Sequence, residues 1–106
     1  MIVYNKLVRD KIPQIIESTG KNAKFSILDD ENYKQMLDKK LYEELEEYAE
    51  ERDINELADL VEVIYTIVEQ QGYSVDEFEN IRIKKREKRG GFKERLLLLE
   101  VDEDKA

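Results

Sequence analysis

The stretch KLYEELEEYAEERDINELADLVE, residues 40–62, predicts the fold of this chain. Two helical segments meet within it at a short polar joint, residues 51–53. Each segment carries an acidic pair three residues apart: Glu44 with Glu47, and Glu56 with Asp59. Residues three apart share one face of a helix, with roughly 5–6 Å between their Cβ atoms. We therefore expect the two helices to fold against each other and to bring the four carboxylates to one point.

Helical periodicity places Glu44 inside an apolar face. At roughly 100° per residue, it projects between Leu37 and Leu41, and Glu56 falls beside Leu60 in the apolar arc of the second helix. Carboxylates gather in a packed groove only with a counter-charge, which is usually a divalent cation. Three other glutamates of the first helix point elsewhere and are expected to be solvated surface: Glu43, Glu46 and Glu50.

Two simpler explanations of these acidic residues stay open. Glutamate-rich helices are most often solvated faces. In addition, residues 53–56 have the pattern of a capping box, in which Glu56 would reach back to the backbone amide of Asp53. A capping box would explain Glu56 alone, whereas the position of Glu44 on an apolar face favours a metal site.

Length and composition indicate one helix-rich domain, residues 1–106. The chain has 106 residues, of which 42% are charged and 41% hydrophobic, with one proline. It contains no run of apolar residues long enough to span a membrane and no signal-peptide pattern. There is no cysteine, which excludes disulfides and thiolate chemistry. We expect a cytoplasmic protein without a membrane partner.

The chain also has no histidine, which narrows the chemistry further. The Ser-His-Asp and Cys-His arrangements are excluded, and zinc is disfavoured because it prefers nitrogen and sulfur ligands. A site made of carboxylates alone suits Mg²⁺, Mn²⁺ or Ca²⁺. No EF-hand loop is present, so calcium sensing is disfavoured.

The net charge of −8 is unevenly distributed. Residues 43–59 are strongly acidic and residues 82–95 strongly basic. An acidic protein is a poor general ligand for nucleic acid, so we expect no stable nucleic-acid partner and interpret the basic stretch as a local anion site. Basic residues at the C-terminal end of a helix also favour its dipole, which explains part of the cluster without a ligand.

The order of elements follows from periodicity and capping signals. We expect four helices: residues 11–18 capped by Asp10, residues 31–51, residues 54–71, and a fourth that follows Ser74. Alternating and apolar runs predict strands at residues 23–28 and 96–101, which would pair as a small appended sheet. Residues 102–106 are expected to fray. The fold class is therefore mainly α, with a four-helix core and a two-stranded β element.

The helix predicted for residues 54–71 is apolar around more than half of its circumference. Such a helix is buried on several sides. A single chain of this size has little else to cover it, so we expect a homo-oligomer, with a dimer as the simplest form.

The pattern in KLYEELEE followed by NELADLVEVI resembles the EExxE…ExxD signature of the MazG-type all-α nucleotide pyrophosphohydrolases. The opening YNKLVRDKIP and the late KRGGF are similar to a branch of that superfamily labelled phosphoribosyl-ATP pyrophosphohydrolase-like. The resemblance covers about residues 4 to 100. It implies an all-α NTP pyrophosphatase-like core, usually oligomeric, with Mg²⁺ held by Glu44, Glu47, Glu56 and Asp59.

The resemblance also implies the reaction, which is cleavage between the α- and β-phosphates of a nucleotide with release of pyrophosphate. The related histidine-biosynthesis enzymes carry a histidine where Val63 stands, so the expected substrate is a nucleoside triphosphate or a modified one. Glu43 is the candidate base that takes a proton from water. The candidate substrate-binding residues are Lys6, Arg9, Lys85, Arg86 and Arg89 for the phosphates, and Phe92 or Tyr4 for the base.

A competing hypothesis is a non-catalytic helical oligomeric interaction protein on the same scaffold. The acidic hairpin and the basic stretch would then be complementary surfaces for self-assembly or for another protein. An enzyme needs specific carboxylates, whereas an interaction surface needs only their summed charge.

Overall fold

The computed structural model describes residues 1–103 and is mainly α-helical. Its helices are α1 (Ile12–Ser18), α2 (Asp30–Glu51), α3 (Ile54–Gln70) and α4 (Val75–Arg89). They confirm the mainly α fold predicted from the sequence. The chain divides into two compact units, Met1–Val75 and Asp76–Ala106. The expectation that they form one domain stays a prediction.

Capping residues fix the ends of the two helices that carry the acidic pairs. Asp29 caps α2 by accepting a hydrogen bond from the backbone amide of Asn32, at 2.9 Å. Arg52 ends α2 in the left-handed conformation, with φ of 57°, and its amide donates to the Tyr48 carbonyl at 2.7 Å. Asp53 then caps α3 directly, so the joint contains two residues. This short joint lets α2 and α3 pack against each other.

The first helix begins differently from the prediction. Its N-cap is Lys11, whose backbone is already helical and whose side chain makes no capping hydrogen bond. The cap expected from Asp10 is therefore wrong, because a capping side chain reaches the first amides from an extended backbone at the N-cap position itself. Pro13 lies in the first turn, as predicted, where the amide hydrogen it lacks would have no helical partner.

The predicted two-stranded element is wrong, because residues 1–103 form no strand. Phe25 and Ile27 of the first segment are 63% and 94% exposed, and the four leucines at residues 96–99 are 78–86% exposed. An apolar run becomes a strand only when another strand pairs with its backbone. Of the tail predicted to fray, Asp102 and Glu103 lie outside any helix, and residues 104–106 lie outside the described residues.

The second unit contains α4 apart from its first residue. Gly90 ends this helix with φ of 82°, and its amide donates to the Arg86 carbonyl at 2.7 Å. This left-handed cap requires a residue that tolerates positive φ, which glycine does at no steric cost. Along residues 1–103, no helix combines the length and the apolar character needed to cross a membrane.

The apolar core of the chain is thin. Among the described residues, the buried hydrophobic side chains are Leu37 and Val68, which are 2% and 8% exposed. On α3, Ile54 and Val61 remain 74% and 42% exposed. The broad apolar arc of this helix is therefore only partly covered by its own chain.

We predict that the protein forms a homo-oligomer, because a second copy would remove this apolar surface of α3 from water. Multi-angle light scattering at micromolar concentration should give a mass of at least twice the 12.6 kDa of one chain. A stable monomer at that concentration would contradict the prediction.

Candidate functional site

Five carboxylates gather where α2 packs on α3. Glu43, Glu44 and Glu47 each offer an oxygen such that the three atoms lie within 4.8 Å of one another. Glu44 also belongs to a second group of the same size, with Glu56 and Asp59. The structure therefore brings together the four residues predicted as metal ligands, and Glu44 is common to both groups.

The carboxylate of Glu44 is buried, as its place on the apolar face predicted. The residue is 6% exposed, and its Oε2 atom has no hydrogen-bond partner in the described part of the chain. An oxygen without a partner in a buried position is costly unless something else satisfies it. The Oε2 atom of Glu44 is therefore the atom of this site that most needs a partner.

Glu56 repeats this arrangement on the facing helix. Its Oε2 atom is buried and finds no partner within residues 1–103. Asp53 caps α3 by accepting a hydrogen bond from the amide of Asn55 at 2.8 Å. The unpartnered oxygen of Glu56 is not explained by a capping box, in which the carboxylate would bind the Asp53 amide.

The N-terminal segment supplies two cations to these carboxylates. Lys6 donates a hydrogen bond from Nζ to Oε1 of Glu43 at 3.1 Å, and Arg9 donates from Nη2 to Oδ1 of Asp59 at 2.6 Å. Both basic side chains are more than half exposed. Lys6 and Arg9, predicted as substrate-binding residues, therefore lie at the acidic site, where they are accessible to an anion.

Sequence reasoning missed a third cation, Lys40. Its Nζ lies 3.3 Å from Oε1 of Glu44 and 3.6 Å from Oε1 of Glu43, and its side chain is 22% exposed. The signal was present in the sequence, because lysine three and four residues before a glutamate faces it on a helix.

Burial raises the pKa of Glu44 above its usual range. The neighbouring charges of Glu47 and Asp59 act in the same direction, and Lys40 opposes them. The pKa of Glu56 is also raised, first by burial and then by Glu47. The site thus holds more negative charge than its own cations compensate.

Glu43, the predicted base, has a different environment. Burial acts to raise its pKa, but the hydrogen bond from Lys6 and the charge of Lys40 outweigh it, so the pKa lies below the usual value. The same hydrogen bond raises the pKa of Lys6. Glu43 is therefore ionised and able to accept a proton, although its affinity for that proton is low. Glu43 was expected to be solvated, but its side chain is half-buried. Glu46 and Glu50 are exposed, as predicted.

The other predicted substrate-binding residues lie in the second unit. Lys85, Arg86 and Arg89 are exposed on the C-terminal part of α4, and Phe92 is 99% exposed beyond it. Tyr4, the alternative to Phe92 for contacting a base, is 68% exposed. The roles of these residues stay predictions.

Comparison of the chain with protein-family models, with curated proteins and with solved structures gives no match in any of the three. The resemblance to the MazG-type enzymes therefore stays a prediction that depends on the motifs quoted above.

We predict that Glu44→Gln leaves the metal-free protein as stable as the parent or more stable. Because the pKa of Glu44 is raised in the folded protein, ionisation of this carboxyl group opposes folding. In the parent protein, the protonated carboxyl group of Glu44 contributes stability at low pH, and this contribution is lost as the pH rises through the raised pKa. In Glu44→Gln the amide does not titrate, so this part of the pH dependence should disappear. Thermal unfolding in EDTA, measured from acidic to neutral pH, tests both effects.

The matched control is Glu46→Gln on the exposed side of α2. It should change the free energy of unfolding by no more than about 0.5 kcal/mol. A clear loss of stability in Glu44→Gln, with Glu46→Gln unaffected, would mean that the Glu44 charge stabilises the fold and would contradict the prediction.

Proposed function

We propose that the protein is a Mg²⁺-dependent nucleotide pyrophosphohydrolase that also accepts Mn²⁺. The observation that carries the proposal is the pair of buried, unpartnered oxygens on Glu44 and Glu56, inside a group of carboxylates whose ligand atoms lie within 4.8 Å of one another. Oxygen ligands of this kind suit a hard divalent cation.

The balance of charge supports the same ligand. Five carboxylates lie at the site, and three basic side chains pair with them, which leaves two formal negative charges; the basic residues are Lys6, Arg9 and Lys40. One divalent cation would neutralise this excess. The residues proposed to hold it are Glu44, Glu47, Glu56 and Asp59.

The proposed substrate is a nucleoside triphosphate or a related nucleotide, cleaved between its α- and β-phosphates. A bound divalent cation supplies neutralisation of phosphate charge and activation of a water molecule in such reactions. Water attacks at phosphorus, the phosphoanhydride bond breaks, and a nucleoside monophosphate and pyrophosphate are released. The resemblance to the MazG-type enzymes supports this substrate class.

The chain's own residues have distinct roles in this proposal. Lys6 and Arg9 bind phosphate oxygens, because both basic side chains are more than half exposed and can contact an anion at the site. Glu43 accepts the proton that water releases. The amines of Lys6 and Lys40 beside it lower its pKa, so its contribution to the rate is expected to be modest.

We predict that Mg²⁺ and Mn²⁺ bind at this site and that Asp59→Asn weakens their binding at least about tenfold. The substitution keeps the size of the side chain and removes a charged ligand, whereas loss of residues that only support ligands already costs roughly 10–100-fold. Isothermal titration calorimetry measures the change. Asp38→Asn, an exposed position on α2, is the control and should leave the affinity unchanged. Equal affinity of parent and Asp59→Asn would reject the site.

We predict that Glu44→Gln lowers pyrophosphate release by orders of magnitude while Glu46→Gln leaves it nearly unchanged. The first substitution removes a proposed ligand, and the second removes the same charge from an exposed position on the same helix. The assay is a panel of nucleotides with Mg²⁺, in which pyrophosphate is distinguished from single phosphate.

The competing interaction hypothesis makes no distinction between Glu44 and Glu46, since each substitution removes one unit of charge from the same helix. Equal effects of the two substitutions on turnover would therefore reject the enzyme assignment. So would the absence of turnover by the parent protein with every nucleotide of the panel.

A further inference from the structure

The carboxylate of Glu44 is held at one oxygen and unpartnered at the other. Its Oε1 atom lies 3.3 Å from Nζ of Lys40, one helical turn earlier on α2, and its Oε2 atom is buried without a partner within residues 1–103. The Glu44 side chain is 93% buried, since 7% of it is exposed. The two oxygens of this carboxylate therefore have separate surroundings.

We propose that Lys40 is a positioning residue, which holds Glu44 by Oε1 so that Oε2 is presented as the ligand atom for the divalent cation. This inference rests on the proposed function, because it concerns the same carboxylate site. It assigns a role to a residue outside the proposed set of metal ligands.

Lys40 forms ion pairs with two carboxylates. Its Nζ also lies 3.6 Å from Oε1 of Glu43, an atom that Lys6 binds at 3.1 Å. The amine therefore links two adjacent carboxylates, and its half-buried side chain has less freedom than an exposed lysine. An ammonium group held in this way can fix the rotation of the Glu44 carboxylate, which a freely moving side chain could not do.

The position of Glu44 matters more than that of any other carboxylate, because it belongs to both oxygen groups of the site. If its carboxylate rotated freely, a bound cation would have to order it at the expense of binding free energy. Residues that orient ligands from outside the ligand shell typically change metal affinity by about 10–100-fold when they are removed.

Whether replacement of Lys40 weakens or tightens metal binding distinguishes a positioning role from a purely electrostatic one. Lys40 is a cation beside a cation site, so its charge alone opposes metal binding, and removal of that charge should tighten it. Positioning predicts the reverse. We expect Lys40→Met, which keeps the length of the side chain and removes both charge and donors, to weaken Mg²⁺ and Mn²⁺ binding by roughly 10–100-fold.

The experiment compares three variants by isothermal titration calorimetry with Mg²⁺ and by electron paramagnetic resonance of free Mn²⁺. Lys40→Met should bind weakly, and Lys40→Arg, which keeps a cationic donor, should restore affinity to within a few-fold of the parent. Lys39→Met removes a charge from the neighbouring exposed position and should bind as tightly as the parent or more tightly. Circular dichroism checks the fold; if Lys40→Met loses helicity, Lys40→Ala replaces it with the same expected loss.

The possible results distinguish this inference from the proposed function. If the parent binds neither cation, both are overturned. If the parent binds and Lys40→Met binds equally or more tightly, the positioning role is overturned and the metal site stands. Equal losses in Lys39→Met and Lys40→Met would also overturn it, since the loss would then not depend on the contact between Lys40 and Glu44.

Discussion

Repulsion among carboxylates at the contact of α2 and α3 is the constraint on which this structure depends. Placing several ionised oxygens in one partly buried groove is unfavourable unless cations lie beside them. The chain supplies Lys40 from α2 itself and two more cations from the N-terminal segment, Lys6 and Arg9. Those two ion pairs also attach residues 6–9 to the helix pair. The five carboxylates between α2 and α3, which form an acidic groove, thus determine where residues 6–9 lie.

Local sequence signals were sufficient for most of the helical framework and for the burial of Glu44. Asp29 and Asp53 precede their helices and accept hydrogen bonds from the first amides, so the helix boundaries followed from side-chain chemistry within three residues. The burial of Glu44 followed from a period of 3.6 residues, which needs no knowledge of the partner helix. These features are predictable because each depends only on residues of one helix and its cap.

Most features that sequence reasoning missed depend on contacts between residues that are far apart in the sequence. The wrong strand prediction has a different cause, because it assumed a second segment that would pair with the first. Arg9 and Asp59 are 50 residues apart, and no periodicity relates them. The leucines of residues 96–99 have the composition of a strand, but a strand requires a second segment at the right place, which composition does not provide. Lys40 is an exception, because its spacing from Glu44 made the contact predictable.

The distribution of exposure within the acidic groove bears on whether it binds an ion or a protein. A surface that attracts a basic partner through summed charge works best when its carboxylates are exposed, since long-range attraction needs no burial. Here the carboxylate at the centre is the most buried, and the cations that pair with it and its neighbours come from the same chain. A surface of that kind has no use for a buried, unpartnered Oε2 such as that of Glu44, whereas a coordinated ion would satisfy this atom. The proposed metal site therefore depends on the burial of this one oxygen and not on the number of acidic residues.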